Sequence, residues 1–75
     1  MPRQPNPLEI ELVQRLKRAR TESGFTRKNA ARFCGIRGGT YNNIEDTMRV
    51  SDAQKKLLLA GIREFERIAA KLEDE

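Results

Sequence analysis

The sequence predicts an all-α fold, and three observations predict it. Apolar residues recur at helical spacing in two stretches, Leu8, Leu12, Val13, Leu16 and Ala19 near the start and Leu58, Ile62, Phe65, Ala69 and Leu72 near the end. No run of alternating β-branched residues is long enough to supply a strand. Between the two stripes, residues 26–45 place their apolar positions where two short helices cross around one tight turn, the spacing of a helix-turn-helix.

The first helix is expected to open at Pro7, with Asn6 as its N-cap and Glu9 completing a capping box. Pro2, Pro5 and Pro7 make residues 1–6 an extended arm. Glu9, Gln14, Arg15, Lys17 and Arg18 are assigned to the solvent side of this helix, which ends near Ser23 with Gly24 at the stop. Phe25 anchors the link, and Thr26 caps a second helix running to about Cys34. Gly35 supplies a left-handed turn, and Ala31 is small where the two crossing helices touch. Ile36, Tyr41 and Ile44 fill the space between them.

The third helix begins at Arg37 or Gly38 and finishes near Asp46. Its start is unusual, because Gly38 and Gly39 each lower helix propensity by about 1 kcal/mol relative to alanine. Two readings stand for that pair: simple turn chemistry, or bare backbone that lets a phosphate or base pair come close to the helix N–H groups. Glu45 is expected on the surface near Arg49. After Val50, Ser51 and Gln54 form another capping-box spacing and open a last helix without an internal proline. Gly61 marks either a break in that helix or a spot where another helix packs closely.

The last stripe, Leu58, Ile62, Phe65, Ala69 and Leu72, has heptad spacing over about two heptads. Either it forms a two-fold dimer interface or it folds back on the first helix, and it could also receive a different protein. A 75-residue chain buries a small fraction of its surface, which favours the dimer. The expected organisation is an arm over 1–6, a DNA-binding unit over 7–61 and a dimerising helical segment over 62–75.

Charge narrows the function. The net charge is +4, yet from Arg15 to Arg49 nine basic residues face three acidic ones, while the two flanks each carry one excess negative charge. A basic centre with near-neutral ends suits a polyanion held by one face. With one cysteine, Cys34, and no histidine, neither an internal disulfide nor a zinc site can form, so no metal or cofactor is expected and Cys34 is read as a small core residue. No apolar run is long enough for a membrane span, and the opening residues lack the apolar core of a secretory signal, so a cytoplasmic protein is expected. Without histidine, a paired acid and base at an apolar pocket, or a Walker-type loop, an enzyme is not expected.

Leu16, Arg20, Gly24-Phe25-Thr26, Ala31, Gly35-Ile36, Tyr41 and Ile44-Glu45 carry a resemblance. From Leu12 to Ile62 the chain resembles the lambda-repressor-like, Cro and XRE-type family of helix-turn-helix regulators, matching its apolar and turn positions without a gap over about two thirds of its length. The resemblance implies a four- or five-helix domain that binds operator DNA as a homodimer and usually represses a promoter. Small regulators of phages, plasmids and mobile elements are the nearest in length.

By position, the resemblance puts base contacts at Gly38, Gly39, Thr40 and Asn43. The glycines depart from the family, where many members present glutamine or serine, so readout shifts toward Arg37, Thr40, Asn42 and Asn43. Asparagine can pair with adenine N6 and N7, arginine with guanine O6 and N7, and the threonine methyl can meet the thymine methyl. Asn43 is the first choice and Arg37 the second, while Asn42 could serve a phosphate instead. Arg27, at the start of the second helix, occupies a position at which members hold a phosphate and brace the recognition helix, and Lys28 and Arg49 flank it as phosphate contacts.

Two other classes compete. Gly35-Ile36-Arg37-Gly38 fits the GXXG loop of KH single-stranded nucleic-acid binders, a fold that requires a sheet. An antitoxin-like or adaptor protein would use the C-terminal stripe to hold a partner protein.

Overall fold

A computed structural model describes residues 4–73 and contains four helices: α1 (Pro7–Glu22), α2 (Arg27–Cys34), α3 (Gly38–Thr47) and α4 (Asp52–Glu73). There is no strand among the described residues, so the sheet that a KH fold needs is missing there. Residues 1–3 of the expected arm lie outside the described part; residues 4–6 precede the first helix without joining it.

Local chemistry sets the helix limits. Asn6 Oδ1 accepts from the Glu9 amide at 2.8 Å and Glu9 Oε1 accepts from the Asn6 amide at 3.4 Å, closing the capping box of α1. Thr26 Oγ1 accepts from the Asn29 amide at 3.1 Å to start α2, and Gly35, at φ 74°, ends it in the left-handed conformation that a Cβ disfavours. Ser51 and Gln54 exchange the same reciprocal bonds ahead of α4, at 3.2 and 3.0 Å. The helix α3 closes differently. Met48, at φ 60°, takes the left-handed cap that glycine or asparagine normally fills, and its amide donates to the Ile44 carbonyl at 2.8 Å.

The core runs between α1 and α4 and is roofed by α2 and α3. Val13, Leu16 and Ala19 meet Leu58, Ile62 and Phe65, with Ala30, Ala31, Cys34, Tyr41 and Ile44 behind them. Phe65 also anchors an aromatic trio, its ring centroid 4.8 Å from Phe25 and 5.3 Å from Phe33. The helix α4 passes Gly61 unbroken. A Cβ built at Gly61 would collide with Cys34 Sγ, so glycine there permits the close approach of α2 to α4. Cys34 is buried and free, a compact core residue.

Three expectations need correction. Leu58, Ile62, Phe65 and Ala69 are buried inside this single chain, so the proposed dimer seam is the domain's own core on α4. A second subunit could reach them only by opening that core. Leu72 alone of the five stays exposed, because α4 is long, about 33 Å for 22 residues, and its last turn outruns the layer beneath it. Val13, Leu16 and Ala19 of the predicted α1 stripe are buried and Leu12 packs partly buried against the core, but Leu8 is 68% exposed and Glu9 takes its place at the start of the buried row. Glu9 is therefore not a surface residue. Its Oε2 accepts from the Val50 amide at 2.7 Å, which ties the start of α1 to the segment leading into α4.

Candidate functional site

The turn formed by Gly35, Ile36 and Arg37 brings α3 across α2 with one face inward and one outward. Tyr41, Ile44 and Glu45 point in; Arg37, Gly38, Gly39, Thr40, Asn42 and Asn43 are all exposed. The six residues chosen from sequence as base contacts thus occupy one continuous outward surface over the first two turns of α3. Among the described residues none of their side chains forms an ion pair or hydrogen bond, and the Asn43 carbonyl accepts from Thr47 Oγ1 at 2.7 Å. Arg37 is the N-cap and places no side chain over the first amides of the helix. Those amides therefore face solvent at the positive end of the helix dipole.

The glycine pair fits that surface. Neither Gly38 nor Gly39 has a left-handed backbone, and a Cβ at either position would meet nothing within 4 Å. Turn geometry therefore does not require glycine at these two positions, nor does packing against the rest of the chain. What the pair does provide is an unobstructed approach to the helix start.

Glu45 holds α3 in place. It is buried, against the expectation of a surface residue, because it lies a turn along from Tyr41 on the inward side of the helix. Arg20 from α1 grips it with Nε at 2.9 Å and Nη2 at 3.3 Å, and spends Nη1 on the Phe25 carbonyl at 2.9 Å. Arg27 from α2 adds Nε at 3.2 Å. One carboxylate thereby fixes the relative positions of three helices with charge-assisted bonds, which are shorter and stronger than neutral ones. The Tyr41 hydroxyl is buried close by without a hydrogen bond closing to Glu45. Burial first, and the nearby carboxylate second, push its pKa well above the ordinary phenol value.

The phosphate candidates divide. Lys28 is exposed on α2. Arg49 is half-buried after α3, its Nε enclosed without a hydrogen-bond partner, and among the described residues it forms no ion pair. Arg27 is spent: besides Glu45 it reaches Asp46 with Nη2 at 3.1 Å. Sequence reading missed the second half of that arrangement, although Arg20, Arg27, Glu45 and Asp46 are the charges one would pair once the helices are crossed.

Other features carry less chemistry. A cleft of about 330 Å³ between the starts of α1 and α4 is lined by Asn6, Glu9, Ser51, Asp52 and Lys55 with Leu8, Leu12 and Val50, and none of these belongs to α3. Among the described residues no group of three or more acids and cysteines could hold a metal ion, and no helix is long and apolar enough to cross a membrane. No family model, curated protein or solved structure matches this chain.

Proposed function

We propose that this protein is a sequence-specific double-stranded DNA-binding transcriptional regulator, with α2 and α3 as a helix-turn-helix and α3 as the helix that enters the major groove. The observation that carries this reading is the outward face of α3: six exposed residues rich in amide, hydroxyl and guanidinium groups, opened by two glycines that the fold does not require. A face free of acid over its first two turns suits base edges and phosphates together. Asn43 reads an adenine, Arg37 a guanine, and Thr40 lies beside a thymine methyl. Lys28 and Arg49 take phosphates on the flanks.

Repression from an inverted repeat by a homodimer belongs to the same proposal. The two-fold contact then lies outside Leu58, Ile62, Phe65 and Ala69, which the monomer has already buried. Recognition helices of such a dimer sit about 34 Å apart, one turn of duplex. The adaptor reading loses its main support for the same reason, since the stripe meant for a partner is the core.

Selection of bound duplexes from a random pool tests the proposal. A recovered palindrome is expected, bound with a log–log salt slope of about −5 to −7, as six to eight phosphate contacts give. Asn43→Ala should weaken the selected duplex by about 1 to 3 kcal/mol and leave random duplex almost unchanged. Equal losses on both would remove Asn43 from base recognition, and a slope near −1 would contradict the interface as a whole.

A further inference from the structure

Along α3 the outward face ends on an acid. Asp46 lies three residues after Asn43, hence on the same side of the helix, and it is the one exposed acid between Arg37 and Thr47, Glu45 being buried. A negative charge in the last turn opposes the helix dipole, so Asp46 is not explained by helix stability. Nor is it needed for Glu45, whose two oxygens are already held by Arg20. What Asp46 does hold is Arg27. The Nη2 of Arg27 sits 3.1 Å from Asp46 Oδ1, and the two side chains are 41% and 61% exposed, so the pair meets at the surface, at the edge of the face assigned to the groove.

We propose that Asp46 keeps Arg27 in reserve, neutralising a guanidinium that the duplex backbone can claim only by exchanging phosphate for carboxylate; this rests on the DNA-binding reading above. The guanidinium fork engages a carboxylate and a phosphate in the same way, so the exchange needs no rearrangement of α2 or α3. Its Nε remains on Glu45 while the outer nitrogen changes partner. The exchange yields little counterion release, because the freed carboxylate regains the cation that the phosphate gives up. Asp46 therefore lowers affinity for every duplex alike and leaves the share of binding that comes from base contacts larger. It acts through Arg27 as a positioning residue and reads no base itself.

The test compares the native chain with Asp46→Asn on a random duplex by fluorescence anisotropy from 50 to 200 mM salt, with thermal unfolding monitored alongside. Asp46→Asn should bind more tightly, with a salt slope steeper by about 0.9 for each protomer. Its advantage over the native chain should then grow about 3.5-fold per protomer when salt falls from 200 to 50 mM. Arg27→Gln placed in the Asp46→Asn background should bring the slope back to the native value, a reversal that a merely structural effect of Asp46 would not produce. Asp46→Glu, which keeps the charge, should behave as the native chain does. Equal slopes for native and Asp46→Asn proteins that both bind overturn this inference alone. Failure of both to bind any duplex overturns the DNA-binding reading and this inference with it.

Discussion

The α1–α4 pair and the α2–α3 pair are built from different materials. Val13, Leu16, Leu58, Ile62 and Phe65 join the long helices through apolar contact, and the surface they leave outside is mixed in charge. The short helices add Ala30, Ala31 and Cys34 from α2 and Tyr41 and Ile44 from α3 to that core, and are oriented by one buried carboxylate between two guanidiniums. On their outer face, from Arg37 to Asn43, the exposed side chains make no bond to other described residues. The difference bears on the proposal above: the α1–α4 pair supplies the long apolar contact, while α3, whose inner side joins the same core, presents on its outer side groups that the interior does not use, and these are the groups the proposal assigns to DNA.

The sharpest way to break this division is to remove the hub of the apolar half. Phe65→Ala should destabilise the fold by about 3 to 5 kcal/mol, a large part of the stability of so small a domain. Urea unfolding measures it, and a loss under about 1 kcal/mol would mean that α4 is not the centre of the core. In the other half the largest expected loss comes from charge. Glu45→Ala leaves Arg20, whose side chain is 17% exposed, without its acid, and should cost about 3 kcal/mol or more. If α3 depends on apolar packing alone, that variant will unfold at nearly the native denaturant midpoint.

Local chemistry was legible in the sequence in both halves, and contacts decided across the chain were not. Capping boxes at Asn6 and Ser51, the Thr26 cap and the Gly35 turn are local chemistry, so their residues announce themselves within four positions. The outward face of α3 was legible for the same reason, since Tyr41 and Ile44 mark its inner side. Three features were not legible, each because it is decided across the chain. Glu9 is buried by a bond to an amide 41 residues away. Glu45 is buried because two arginines from other helices meet it there. Heptad spacing from Leu58 to Leu72 describes a helix with one apolar face, and nothing in the spacing says whether another subunit or the chain's own α1 will cover that face. The end of α3 was placed to within a residue, yet its cause, a left-handed Met48, carries no sequence signal.

The smallest effect expected lies on the surface of the apolar half. Arg15 donates to Glu66 at 2.8 and 2.7 Å, and those hydrogen bonds hold the Glu66 carboxyl below its ordinary range despite slight burial. A carboxyl with a lowered folded-state pKa adds stability above its unfolded pKa and loses it as pH falls through the folded value. Glu66→Gln should therefore differ slightly from the native chain at neutral pH and not at all well below pH 4, as thermal midpoints across that range will record. A difference that persists into strong acid would show that Glu66 contributes through packing instead of charge.

The separation of the two halves is tested most directly at Gly38 and Gly39, which the fold does not require. The measurement is the affinity of a Gly38→Ala, Gly39→Ala protein for the duplex selected by the native chain, read beside its thermal midpoint. Alanine at each position should stabilise α3 by up to about 0.5 to 1 kcal/mol and raise the midpoint by a few degrees, while crowding the helix start and weakening the selected duplex at least about tenfold. A more stable protein that binds the duplex as tightly as the native chain would contradict the account.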